Sequence, residues 1–202
     1  GLTHHAHVHG EARISELLQR KANQLASLFD SCIGCNEWPW FDQIVTYGNS
    51  RIPQALIAAG VQLKDRTLTD KGLTLLNWLI EKQFTNGMFH SIGNSGWMTP
   101  EMKAIFDQQP LEAHGMIDSC LIAEDYVKDG KYAGYASKAF EWFTGKNACS
   151  TVVYDSETGG CRDGLHCDGV NLNQGAESTL SWLMSLVRMS SYMNHHKNNN
   201  FS

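Results

Sequence analysis

The sequence predicts an all-α chain of stacked αα-hairpins, on three observations. Apolar residues recur at helical rather than alternating spacing. Gly, Pro and Asp-Gly punctuate the helical stretches at short intervals. Three of the helices also open alike, at Asn49-Ser50-Arg51-Ile52-Pro53-Gln54-Ala55, at Gln108-Gln109-Pro110-Leu111-Glu112-Ala113 and at Asn173-Gln174-Gly175-Ala176-Glu177-Ser178. In that register Gln54, Glu112 and Glu177 stand 58 and 65 residues apart, a period long enough for one hairpin per unit.

The elements follow in order. Ile14, Leu17, Leu18, Ala22, Leu25, Leu28 and Phe29 form one stripe and predict a helix over 11–29. Residues 1–10, polar and rich in His, read as a disordered segment. An aromatic loop over 36–49 is too long for a mere connector. A second helix starts near Ser50, tolerates Pro53 in its first turn and is expected to stop at Gly60. The third runs over 69–84 with Leu73, Leu76, Leu79 and Ile80 inward. A Gly-rich loop over 86–109 leads to Pro110, a good first helical residue, and a fourth helix reaching Lys128. Asp129-Gly130 turns the chain into a fifth helix over 132–144. A third long loop, 146–173, precedes a sixth helix over 174–191, and 192–202 reads as a disordered tail. Residues 11–191 thus make a single domain.

Hairpins of this kind arranged about an axis form an α/α toroid, or here a half-toroid, since three hairpins span about half of a six-hairpin ring. Inner helices then point their N-termini at one mouth. The amide-rich helix starts and the three long loops would converge there.

Composition narrows the function. The chain has 202 residues, 42% of them hydrophobic and 18% charged, which places it among globular proteins. A net charge of −5 without a basic run argues against nucleic acid and anionic membrane as partners, and no apolar stretch approaches the roughly 20 residues of a membrane helix. No leader segment is visible, but in a chain that begins at Gly this says little about compartment, which stays open with a cytoplasmic setting favoured. No phosphate-binding loop, dinucleotide fingerprint or nucleophile elbow is present. Cys32-x-x-Cys35 and the grouping of Cys161, His166 and Cys167 would suit zinc, but no second C-x-x-C exists, so neither a metal nor another cofactor is expected.

Candidate site residues follow from chemistry. Glu112 and Glu177 occupy equivalent first turns, and cleavage of a glycosidic bond needs two carboxyl groups flanking it. A first-turn Glu that merely complements the helix dipole is the competing reading. Asp163, in Gly-Gly-Cys-Arg-Asp-Gly, is a third catalytic candidate or a turn former. Trp38, Trp40, Tyr47 and Trp97 on loops could stack on sugar rings or anchor the loops. Asp42, Asn49, Arg51, Asn94, Gln108, Gln109, Asn173 and Gln174 offer groups that bind hydroxyl pairs, beyond what capping requires. His90, His114 and His166 are single histidines near the inferred mouth, and His90 and His166 join the substrate-binding set.

Several strings also resemble a known family. They are Trp38-Pro39-Trp40-Phe41-Asp42, Tyr47 to Leu56, Ile92-Gly93-Asn94-Ser95-Gly96-Trp97, Phe106 to Ala113, Glu157 to Leu165 and Asn171 to Leu183. Together they resemble the α/α-toroid domain found alone or behind the catalytic domains of bacterial glycosyltransferase-like proteins of polysaccharide metabolism, over about residues 37–186. The family's toroids carry further helices ahead of the Trp-Pro-Trp segment, here reduced to one, and Cys167 departs from its pattern. The resemblance implies a carbohydrate context and a fold shared with glycoside hydrolases and sugar epimerases. The functional expectations are therefore processing of a glycosidic linkage by paired carboxylates, glycan binding as a scaffold for a glycosyltransferase domain, or sugar epimerisation through a histidine. A glycan or small sugar is the expected ligand, and a glycosyltransferase domain or a second toroid half the expected protein partner.

Overall fold

The computed structural model describes residues 3–4, 12–31 and 37–199, without the side chains of 196–199. Among these the chain is mostly helical, with six α-helices and two short antiparallel hairpins. The helices are α1 (Ala12–Asp30), α2 (Arg51–Leu63), α3 (Arg66–Gln83), α4 (Pro110–Val127), α5 (Lys131–Glu141) and α6 (Ala176–Asn199). The strands are β1 (Phe84–Thr85) with β2 (Met88–Phe89), and β3 (Gly164–His166) with β4 (Gly169–Asn171).

Helices α2 and α3 pack closely as one hairpin and α4 and α5 as a second. Helix α4 lies between α2 and α6, so α2, α4 and α6 form a row with α3 and α5 behind it, while α1 packs on α2 and α3 at one end. The hydrophobic pattern accounts for this order. Helix α4 buries residues around its whole circumference, among them Met116, Ile117, Cys120 and Leu121, as a helix hemmed in on every side must. Its inner residues join Leu75, Leu76, Leu79, Trp142, Phe143 and Trp182 in one core. Helix α1 is amphipathic and adds a smaller cluster of Leu18, Ala22 and Ala26 against Leu56 and Leu68.

Several helix ends differ from the sequence expectation, each for a local reason. Gly60 does not stop α2. It lies where the hairpin closes, and a side chain there would strike Thr69 and the Asp65 carbonyl. The helix ends instead at Lys64, in the left-handed region at φ 56°, with its N–H on the Gly60 and Val61 carbonyls. Helix α3 starts at Arg66 rather than 69 because Asp65 caps it, accepting from the Leu68 N–H at 3.2 Å. The turn into α5 is fixed by buried Glu124, whose oxygens accept from the Gly130 and Ala133 N–H groups at 2.8 and 3.1 Å. Both β-hairpins were missed, being too short to show alternation. The expected disordered tail is corrected in part: α6 continues through Ser191 to Asn199. Residues 1–2, 5–11 and 200–202, which carry the remaining expectations of disorder, lie outside the described residues, as do Cys32 and Cys35.

Candidate functional site

Two glycines bring the long loops together. Gly93 sits against the Phe106 backbone so closely that a Cβ would overlap it, and its N–H donates to the Ala104 carbonyl at 2.8 Å. This folds the 86–109 loop onto itself and presents Asp107. Gly164, at φ 148°, lets β3 run against Gln108, whose backbone exchanges two hydrogen bonds with Leu165 at 3.0 and 2.9 Å. His166 therefore arrives opposite Asp107, and their Nδ1 and Oδ1 atoms lie 2.8 Å apart.

Around this pair opens a cavity of about 440 Å³ at the N-terminal ends of α4 and α6. Asn94, Gln109, Asp163, Asn171, Glu177 and Ser178 line it together with Asp107 and His166. The hydrogen bond that the imidazole donates to Asp107, and the charge of that carboxylate, raise His166 above its ordinary value. At Asp163, burial pushes the carboxyl up. Hydrogen bonds from Asn173, Ser178 and the Gly175 N–H outweigh it and leave the group below its ordinary value. Asp163 thereby ties the β3 loop to the start of α6, through the Gly175 N–H at 2.7 Å and the Asn173 amide. Gln174 makes a parallel tie, donating to Asp155 at 2.9 Å and accepting from Thr158 at 2.8 Å.

Glu112 stands apart from the cavity. It is 2% exposed, and its two oxygens accept from the Gly48 N–H at 2.6 Å and the Asn49 amide at 3.0 Å. Burial pushes its carboxyl up to about 7, against the pull of those donors and of Arg51. Asn49 in turn accepts from Gln83 at 2.9 Å, so one buried chain of three side chains joins the ends of α2, α3 and α4. The charge of Glu177 adds to the upward shift, so the two carboxyl groups lie within electrostatic reach of one another.

Other candidates also lie outside the lining of this cavity. Trp40, for which sugar stacking and loop anchoring were both open, is buried and stacked on Phe41 and Trp78, the position of an anchor. Trp38 packs edge-on to Trp78 and donates to the Asp42 carbonyl at 2.7 Å, while the Asp42 carboxylate, on the exposed surface, accepts from Gln43. Asn49 and Gln108 are buried; the Gln108 side chain accepts from Trp142 at 2.8 Å and donates to the Ile105 carbonyl. Arg51 pairs with Asp118 at 2.7 Å. His114 is buried between Ser185 and Asp118, and burial lowers it. His90 lies beside Lys103, whose amine donates to the His90 and Lys82 carbonyls. Tyr47 is exposed and tilted against Trp97, with ring centroids 6.3 Å apart, and these two remain available as an aromatic surface.

Asp107 is the residue that sequence reasoning missed. It lies within the quoted Phe106-to-Ala113 string, but only its amide neighbours were singled out. Gln83 was missed too, because a Gln near a helix end carries no distinctive signal. Among the described residues no group of three His, Cys, Asp or Glu side chains is arranged to hold a metal ion, and Cys120, Cys149, Cys161 and Cys167 are free. No helix among them is long and apolar enough to cross a membrane. No family model matches the chain, and no curated protein matches it.

Proposed function

We propose that this chain is a carbohydrate-active α/α-toroid-type domain that binds a sugar in the cavity between β3, the 86–109 loop and the start of α6, and processes a glycosidic linkage there. The observation that supports this most is the convergence of carboxylate, imidazole and amide side chains from two separate loops and a helix start on one polar cavity. A cavity of about 440 Å³ suits one or two sugar rings, and paired planar amides and carboxylates suit vicinal hydroxyls. The row of helices backed by a second layer supports the toroid class.

In this reading Glu177 is one of the two carboxyl groups that glycoside cleavage requires. The second is Asp107, working with His166, in preference to Glu112, whose oxygens are already committed. The pair would hold or move a proton at the leaving oxygen. Asp163 serves by fixing the cavity wall.

Thermal unfolding against a panel of mono- and oligosaccharides, with product analysis of whatever raises the midpoint, tests the reading. New products that Glu177→Gln abolishes while the midpoint shift survives would support processing. A shift without products would favour the scaffold reading, in which the domain holds a glycan for a glycosyltransferase partner. Absence of any shift would count against both.

A further inference from the structure

The two ends of the helical stack differ in character. At one end α1 turns Glu16, Arg20, Asn23, Gln24 and Ser27 outward, a solvated face of the kind that terminates a stack. At the other end α6 turns Leu180, Leu183, Met184 and Val187 outward, at 57, 42, 53 and 66% exposure, on the face opposite Ser178, Ser181 and Ser185, which are buried. Leu186 and Met193 flank the stripe, at 39 and 49%. From Leu180 to Val187 α6 carries no charged residue. A helix face of this composition is not built for water.

We infer that this face of α6 is a dimer interface, in which two copies of the chain pair α6 against α6 about a two-fold axis.

The asymmetry of the stack selects this occupant. A polar end cannot satisfy an apolar one, so head-to-tail stacking of copies is disfavoured. The apolar end is matched by the apolar end of a second copy, which gives a closed, isologous contact. Run antiparallel, the helices set their dipoles in opposition. The spacing 180, 183, 184, 187 is then its own complement, with Leu180 across from Val187 of the second copy and Leu183 across from Met184. Covering Leu180, Leu183, Met184 and Val187 on both copies removes on the order of 700–800 Å² from water, and the flanking Leu186, Met193 and their neighbours bring the contact toward the roughly 1,200 Å² at which stable interfaces begin. The antiparallel arrangement also points the two cavities toward opposite ends of the dimer. Each site is then built by its own chain, whatever its ligand, and the inference does not rest on the carbohydrate reading.

The test is the mass of the full chain in solution, by light scattering after gel filtration and by sedimentation equilibrium over a hundredfold range of concentration. The expected result is a dimer that Leu183→Glu and Val187→Glu each convert to monomer, with the circular dichroism and the cooperativity of unfolding retained because both side chains are outside the core. Glu16→Leu, on the polar end, should leave the dimer mass unchanged. A wild-type monomer at every concentration overturns the proposal and leaves the face to a different protein or segment. A dimer that survives both glutamate substitutions overturns it as well, because the contact then lies elsewhere.

Discussion

Glu112 is held above its ordinary value by burial, so the folded state keeps its proton at pH values where the unfolded chain has lost it. Between about 4.5 and about 7 the native state therefore binds more protons at this group, and its contribution to stability falls as pH rises, by roughly 3 kcal/mol across the window. The difference in unfolding free energy between wild type and Glu112→Gln, followed by denaturant titration from pH 4 to 8, should slope in that sense. A flat difference would mean that the carboxyl titrates alike in the folded and unfolded states, so that burial does not shift it. His166 is a base rather than an acid, but its pKa is also raised, so its contribution has the same sign and is lost at higher pH. Its pairing with Asp107 stabilises the imidazolium, a contribution complete below 6.5 and lost as pH passes its raised folded value. In an NMR titration of the imidazole, Asp107→Asn should bring His166 back down. An unchanged midpoint would show that the two side chains do not interact in solution. Neither residue's environment was legible in sequence, where a first-turn Glu looks the same facing a cavity or a cradle of donors, and where nothing marks Asp107 as the partner of a histidine 59 positions away.

Helix identities and faces were legible, because the 3.6-residue period, Pro110 and Asp129-Gly130 are local signals. Gly60 was misread because a helix-stopping glycine and a close-packing glycine have the same sequence signature, and only the neighbouring element distinguishes them. That distinction predicts opposite effects for two glycine substitutions. Gly93→Ala drives a methyl group into the Phe106 backbone and should cost about 2 kcal/mol or more, displacing Asp107 with it. Gly134→Ala, in α5 with open space around it, should stabilise by about 0.5–1 kcal/mol. Chemical denaturation of both variants is the measurement. Similar destabilisation by the two would contradict the packing described for the 86–109 loop. The sequence read the loop's length correctly as a sign of a site, but not how its backbone closes, since β-bridges such as Gln108 with Leu165 join residues far apart in the chain.

At the scale of the molecule, the row α2, α4, α6 makes α4 the common wall of the whole assembly. Its amides should be the last to exchange with solvent, at rates close to those of global unfolding, while α1 and the exposed end of α6 exchange sooner. Hydrogen exchange followed by mass spectrometry reads this directly, and early exchange in α4 would show that the two hairpins open independently. The repeat at 58 and 65 residues aligned three helix starts in sequence, and in the structure Gln54, Glu112 and Glu177 are the fourth, third and second residues of α2, α4 and α6. It could not foretell that one equivalent Glu is sealed in and the other lines a cavity, a difference set by what lies next to each helix.

Because α4 is buried around its circumference, the order in which the chain is made matters. Helices α2 and α3 have already emerged from a ribosome when α4 appears, but α5 and α6, which close its other sides, come later. During that interval a greasy helix is half covered, and the nascent chain is most exposed to self-association and most in need of a chaperone. A stop in synthesis within the loop before α6 would therefore leave a sticky, insoluble remnant rather than a smaller working domain.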